Sequence, residues 1–124
     1  MREHIVLVDD DQNFRRSLVI QLELEGYSVT EFENAPQALS YLHTHLADRQ
    51  LPDLLITDIR MPGMTGHEFV RDLNKRYPQI PVLVMSAYDC PDGMEHCSFL
   101  RKPFRLGDLV ETISMMLCDT LKSQ

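Results

Sequence analysis

Residues 5–11 read Ile5-Val6-Leu7-Val8-Asp9-Asp10-Asp11, an apolar run that passes directly into three carboxylates. Because no polar residue alternates within the run, it predicts a strand that is buried on both faces. Strands of this kind occur in parallel sheets that helices cover on both sides. We therefore expect residues 5–8 to form the central strand of a parallel α/β sheet.

The rest of the chain alternates short apolar runs with stretches of helical period. The runs predict further strands at residues 27–32, 54–57, 82–85 and 99–101. Apolar residues at helical spacing predict four helices, whose inward positions are Phe14, Leu18 and Leu22; Ala38, Leu39, Leu42 and Leu46; Phe69, Val70 and Leu73; and Leu109, Ile113, Met116 and Leu117. No linker divides this pattern, so residues 1–124 are predicted to form one α/β domain.

The composition excludes several classes of function. The 12 Lys and Arg residues against 19 Asp and Glu residues give a net charge of -7, which repels nucleic acid backbones and anionic membranes. The first apolar run is too short for a signal peptide or a membrane-spanning helix. The three cysteines, Cys90, Cys97 and Cys118, show no pairing pattern, which favours a reducing compartment. We therefore expect a cytoplasmic protein that binds neither nucleic acid nor membrane directly.

Polar residues stand at the ends of four of the predicted strands: Asp9 to Asp11, Asp58, Ser86 and Lys102. In an open parallel sheet, ligands bind outside the carboxyl ends of the strands, so these side chains are expected to meet in one crevice. Neighbouring carboxylates repel each other unless a cation lies among them, and hard oxygen ligands favour Mg²⁺.

A lysine and a hydroxyl opposite that cation would complete a site for a tetrahedral anion. A carboxylate can itself accept a phosphoryl group as an acyl phosphate, and Asp58 is the candidate acceptor. Each residue also has an ordinary structural explanation when taken alone. An acidic run is commonly a solvated loop or a helix start, and Asp58, Ser86 and Lys102 could be a helix cap, a strand-end hydroxyl and a surface lysine. Their joint position after buried strands is what favours a site.

With these residues in place, the sequence resembles the receiver domain of two-component response regulators over nearly its whole length. Four phrases in order carry the resemblance: residues 5–11 (IVLVDDD), residues 53–66 (DLLITDIRMPGMTG), residues 81–87 (PVLVMSA) and residues 102–104 (KPF). The resemblance implies a flavodoxin-like, doubly wound sheet of five parallel strands in the order 2-1-3-4-5. It also implies phosphoryl transfer to Asp58 from a histidine kinase or a histidine phosphotransfer protein. Such a domain is a signalling phosphoacceptor that catalyses only its own phosphorylation and dephosphorylation.

The resemblance also assigns roles to individual residues. The Mg²⁺ ligands it implies are the carboxylates of Asp9, Asp10 and Asp58 and the backbone carbonyl of Arg60. Ser86 and Lys102 would contact the phosphoryl oxygens, and the peptide bond between Lys102 and Pro103 would be cis. Ser86 and the aromatic Phe99 would couple the phosphoryl group to a protein-interaction surface, although plain core packing explains Phe99 equally well.

One segment departs from the family pattern. From Ser86 to Lys102 the chain is shorter than the pattern by roughly one and a half helical turns. Residues 89–96 contain Pro91 and Gly93 and no periodic apolar residues, so the helix between the fourth and fifth strands is expected to be shortened or missing. Because that helix helps to form the usual output surface of the family, the sequence does not identify the output partner.

Two other functions remain as alternatives. The chain could be a receiver-like interaction module that works without phosphorylation. It could also be a haloacid-dehalogenase-like phosphatase, in which Asp9 and not Asp58 would carry the phosphoryl group. Those enzymes have a longer chain with a cap insertion. The residue that carries the phosphoryl group distinguishes such a phosphatase from a receiver domain.

Overall fold

A computed structural model of the protein describes residues 2–46, 51–59, 65–88 and 97–122. In chain order, the elements are β1 (His4–Val8), α1 (Gln12–Leu24), β2 (Ser28–Phe32), α2 (Ala35–Leu46), β3 (Leu54–Asp58), α3 (Gly66–Arg76), β4 (Val82–Ser86), β5 (Ser98–Arg101) and α4 (Leu106–Lys122). These elements lie where the sequence predicted them, with bounds that differ by one or two residues. Asp58 and Ser86 are the last residues of β3 and β4 rather than the first residues after them.

The five strands form one parallel sheet in the order β2-β1-β3-β4-β5. The central strand is β3 and not, as predicted, β1; β1 lies beside it and pairs with β2 on its other side. The predicted strand order and the flavodoxin-like fold class are therefore confirmed. The strand order reverses between β1 and β3, and this places the carboxyl ends of those two strands beside the crevice that such sheets use for ligands.

Alternate residues of β1 point to opposite faces of the sheet, and each face has its own buried core. Val6 and Val8 pack in a cluster with residues of α2 and α3, which include Ala38, Leu42, Phe69, Val70 and Leu73. Ile5 and Leu7 pack in a second cluster with residues of α1 and α4, which include Leu18, Leu22, Leu109 and Ile113. Helices thus cover both faces, which explains why the strand lacks polar alternation.

Local capping fixes where the helices begin and end. Asp11 caps α1, since its side chain accepts a hydrogen bond of 3.1 Å from the backbone N of Phe14. Gly26 follows α1 at a φ of 101°, a left-handed conformation that glycine adopts without steric cost. At α3, the side chain of Thr65 accepts from the backbone N of Glu68 at 3.2 Å. These caps set the direction in which each helix leaves its loop.

The described part of the chain contains four helices, and none of these lies between β4 and β5. The segment 89–96, for which a shortened or missing helix was predicted, lies outside the described residues, as do residues 60–64 and the side chain of Leu46. Over the ranges given above, no helix combines the length and the apolar character that crossing a membrane requires.

Candidate functional site

Three carboxylates meet at the carboxyl ends of β1 and β3. Asp9, Asp10 and Asp58 each place one carboxylate oxygen so that the three atoms lie within 4.8 Å of one another. The parallel pairing of Val8 with Thr57 brings this about, because the acidic residues directly follow that pair on the two neighbouring strands. Asp9 is fully buried, Asp58 is half-buried and Asp10 is exposed. The structure therefore brings the three predicted acidic residues into one cluster that opens to solvent on one side.

Lys102 reaches this cluster from the far side of β4. Its Nζ atom donates hydrogen bonds to Oδ2 of Asp58 at 2.7 Å and to Oδ2 of Asp9 at 3.2 Å. Its backbone N donates to the carbonyl oxygen of Ser86 at 2.7 Å, which ties the end of β5 to the end of β4. The peptide bond between Lys102 and Pro103 is cis, as the resemblance implied.

The electrostatics of the cluster show an excess of negative charge. Burial raises the pKa of Asp9, and the charge of Asp58 raises it further, while the backbone hydrogen bond from Asp11 and the charge of Lys102 act against this rise. Burial alone would lower the pKa of Lys102, but its hydrogen bond to Asp58 and the charge of Asp9 outweigh that effect and raise the pKa. One ammonium therefore compensates three acidic groups only in part.

This donor set fits Mg²⁺. The ion prefers hard oxygen ligands, is usually bound by one or two carboxylates and keeps several waters, and the exposed side of the cluster leaves room for them. A divalent cation would also offset the negative charge of Asp58, which adds to the rise that burial gives the pKa of Asp9. The remaining predicted ligand, the carbonyl of Arg60, lies outside the described residues.

Ser86 and Phe99, the two predicted switch residues, have different surroundings. Ser86 ends β4 as a buried residue, one position beyond the partner of Asp58 in the sheet register, and its Oγ accepts a hydrogen bond of 3.0 Å from the backbone N of Tyr88. Phe99 pairs with Val84 in the sheet and packs, partly buried, against the core cluster on the α2 and α3 face. Core packing of Phe99 is thus a fact of the fold, and its role in switching stays a prediction.

Two residues that the sequence analysis did not assign to the site also border it. The ring of Phe14 lies beneath the ammonium of Lys102, with Nζ 4.2 Å from the ring centroid. Nη1 of Arg15 donates to the backbone carbonyl of Asp9 at 2.7 Å, and its Nε donates to Glu31 at 2.8 Å. Asp11 as a helix cap could have indicated that Phe14 borders the site, because the cap places the first turn of α1 beside the acidic loop. No local signal pointed to Arg15, since its partner belongs to β2.

Comparison with known proteins identifies the fold family. A family model described as the response regulator receiver domain matches residues 5–114. The chain is 35% identical over 121 residues to the response regulator receiver protein CpdR of Brucella abortus, covering 93% of this chain and 97% of CpdR. It is 34% identical over 113 residues to the DNA-binding transcriptional regulator NtrC of Klebsiella pneumoniae, covering 86% of this chain but 23% of NtrC. The chain thus spans about a quarter of the length of NtrC and nearly all of CpdR.

Solved structures of response regulators are also similar to this chain. A CheY-like receiver domain protein from Methanospirillum hungatei superposes with a TM-score of 0.88 at 25% identity, and the match covers 100% of both chains. The response regulator TrrA of Thermotoga maritima, solved in complex with Mg²⁺ and BeF, gives a TM-score of 0.81 at 28% identity over 92% of this chain and 98% of that one.

Proposed function

The chain belongs to the response regulator receiver domain family, and on that premise we propose that it accepts a phosphoryl group on Asp58. It is a signalling domain rather than a metabolic enzyme. The observation that carries the proposal is the position of Asp58, whose half-buried carboxylate lies within reach of two further carboxylates and of the Lys102 ammonium. The donor is a phosphohistidine on a histidine kinase or a histidine phosphotransfer protein.

In the proposed reaction, a carboxylate oxygen of Asp58 attacks the phosphorus of the phosphohistidine. A P–O bond forms, the P–N bond breaks, and the imidazole leaves with its electron pair and takes up a proton. The three carboxylates, with the Arg60 carbonyl as the further ligand that the family resemblance implies, would hold Mg²⁺, which would neutralise negative charge on the transferring group. Lys102 already donates to Asp58 and therefore needs little movement to donate to a phosphoryl oxygen. The Mg²⁺ and BeF complex of TrrA supports this chemistry for the fold.

Asp58 is a better acceptor than Asp9. Asp9 is fully buried, and its two carboxylate oxygens accept hydrogen bonds from the backbone N of Asp11 and from Lys102. The Asp58 carboxylate is more exposed, so an incoming phosphohistidine can reach it. This difference argues against the phosphatase alternative, in which Asp9 would carry the phosphoryl group.

The proposed output is a change in a protein-interaction surface. Ser86 would move toward a phosphoryl oxygen and leave its bond with the backbone of Tyr88, and Phe99 would shift into the space that becomes available. The partner is a protein, since the net charge of -7 disfavours direct contact with nucleic acid or membrane. We place this signalling in the cytoplasm, where three cysteines without a pairing pattern stay reduced.

Intact-mass measurement tests the proposal. The protein is incubated with acetyl phosphate and Mg²⁺, and the experiment is repeated with EDTA and with Asp58→Asn and Asp9→Asn. We expect one phosphoryl adduct in the wild type that needs Mg²⁺ and is absent from Asp58→Asn. An adduct that survives Asp58→Asn and disappears in Asp9→Asn would support the phosphatase alternative. A folded protein that gains no adduct and binds no beryllofluoride would support the phosphorylation-independent interaction module.

A further inference from the structure

Phe14 is the residue of the site that the proposed chemistry does not use. Its ring lies 4.2 Å from the Lys102 ammonium, at van der Waals distance and on the face that attracts cations. An ammonium has three donors, and those of Lys102 meet Asp58 and Asp9 on one side. The ring lies against the same nitrogen, offers it no ordinary hydrogen-bond acceptor and takes up space that water would otherwise occupy.

The position of Phe14 is itself fixed by the acidic loop. The backbone N of Asp11 donates to Oδ1 of Asp9 at 2.9 Å, and the Asp11 carboxylate accepts from the backbone N of Phe14 at 3.1 Å. Lys102 in turn donates a hydrogen bond to Oδ2, the other carboxylate oxygen of Asp9. The chain of contacts therefore runs from Asp9 through Asp11, Phe14 and Lys102 back to Asp9.

A second aromatic ring lies beside the first. Phe104, two residues after Lys102, packs edge-on against Phe14 with ring centroids 6.0 Å apart and an interplanar angle of 73°. Both rings also pack against the core cluster between α1 and α4. The Phe14 ring is thus held between the core and the ammonium, whereas Phe104 touches the ring from the side.

We propose that Phe14 is a positioning residue that holds the Lys102 ammonium at the carboxylates, ready for the phosphoryl oxygens. The inference rests on the proposed function of Asp58. A lysine side chain has many rotamers, and an exposed ammonium gains more from water than from a weak ion pair. By keeping water from one side of the ammonium, the ring favours the conformer that reaches the acidic cluster.

The test compares Phe14→Leu with Phe14→Tyr and with the matched control Phe104→Leu. Isothermal titration measures Mg²⁺ alone and then beryllofluoride in saturating Mg²⁺. We expect Phe14→Leu to weaken beryllofluoride binding by about three- to tenfold, the range of a cation–π contact, and not to weaken Mg²⁺ binding, because an ammonium released from the carboxylates competes less with the ion. Phe14→Tyr keeps the ring face and should bind like the wild type, and Phe104→Leu should do so as well. Equal loss in Phe14→Leu and Phe104→Leu would overturn the proposal, because general core damage would then explain both.

A double-mutant cycle separates this inference from the proposed function. Phe14→Leu, Lys102→Met and the double variant are compared by urea unfolding in the absence of any phosphoryl analogue. Coupling between the two changes supports the contact, and additive effects would overturn it. If the wild type binds no beryllofluoride, the proposed function fails, and the cycle alone decides whether Phe14 holds Lys102.

Discussion

The Nζ atom of Lys102 lies 2.7 Å from Oδ2 of Asp58, although 44 positions of sequence separate the two residues. The contact depends on the strand order, because β4 lies between β3, which ends at Asp58, and β5, which ends one residue before Lys102. The backbone N of Lys102 donates to the carbonyl of Ser86 at the end of β4. This bond fixes the backbone position from which the lysine side chain extends to Asp58. The carboxylate of Asp58, the proposed acceptor, is therefore paired with a cation.

The same ammonium is expected to compete with Mg²⁺. Lys102→Met removes a positive charge that lies within hydrogen-bonding distance of Asp9 and Asp58, two of the four predicted Mg²⁺ ligands. We expect the dissociation constant for Mg²⁺ to fall by about two- to tenfold, measured by isothermal titration. Phosphorylation by acetyl phosphate should decline in the same variant. Lys75→Met, at the exposed end of α3, is the charge-matched control, and weaker Mg²⁺ binding in Lys102→Met would contradict the prediction.

Glu31 links α1 to β2 and gives a prediction about pH. Burial alone would raise the pKa of Glu31, but the hydrogen bonds from Arg15 and Arg16 outweigh it and lower the pKa below the ordinary value of 4.5. A lowered carboxyl pKa contributes stability that is fully present above the ordinary value and is lost as pH falls through the folded-state pKa.

Glu31→Gln should therefore lower the free energy of unfolding by about 1 kcal/mol at about pH 7, and the difference should shrink toward zero at about pH 3. Urea unfolding at the two pH values measures it. Glu23→Gln, an exposed residue of α1, is the control and should change little at either pH. A destabilisation by Glu31→Gln that is the same at both pH values would rule out the titration as its origin.

Gly66, the first residue of α3, packs closely against the backbone of Ile59, the residue after β3. Its backbone N donates to the carbonyl of Ile59 at 3.0 Å, and a Cβ atom at Gly66 would lie 2.5 Å from both Cα and O of Ile59. Gly66→Ala must push backbone atoms apart, so we expect a loss of about 2 kcal/mol or more in the free energy of unfolding.

Gly107 provides the matched control, because nothing lies within 4 Å of a Cβ atom at that position in α4. Gly107→Ala should be neutral or should stabilise the protein by up to about 1 kcal/mol, since alanine favours helix. Urea unfolding of both variants decides the matter. Similar effects of the two substitutions would show that the close approach to Ile59 does not affect the free energy of unfolding.

Ser86 is expected to transmit phosphorylation rather than to permit it. Ser86→Ala loses the hydroxyl that accepts from the backbone N of Tyr88, at a cost of about 1 kcal/mol in stability. We expect the variant to take up a phosphoryl group on Asp58 while the NMR signals of the Phe99 ring no longer respond to beryllofluoride. Ser86→Thr keeps the hydroxyl and should keep the response. An unchanged Phe99 response in Ser86→Ala would exclude coupling through the hydroxyl.

The sequence predicted the elements of this fold because their signals are local. Buried strands such as residues 5–8 read as unbroken apolar runs, and the polar residues after them mark the carboxyl ends that a parallel sheet collects at one edge. The sequence therefore predicted that Asp9, Asp58 and Lys102 share one site. Even the cis peptide bond at Pro103 followed, although only from the family resemblance.

Other contacts depend on relationships between elements that no local pattern reports. Arg15 meets Glu31 only because α1 packs beside β2, and the helical period of the sequence does not specify that register. Phe14 was predicted as an inward position of α1, and its partly buried ring does pack against that core. Its further contact with the Lys102 ammonium depends on where Asp11 starts the helix and where β5 ends.

Locating the phosphoryl group decides whether Asp58 is the acceptor. The protein is incubated with acetyl phosphate and Mg²⁺ and then reduced with borohydride, which converts an aspartyl phosphate into homoserine. Peptide mass spectrometry then identifies the converted residue. We predict homoserine at position 58 in the Mg²⁺-treated wild type, and no conversion when EDTA is present. Conversion at Asp9 or Asp10, with Asp58 unchanged, would contradict the account.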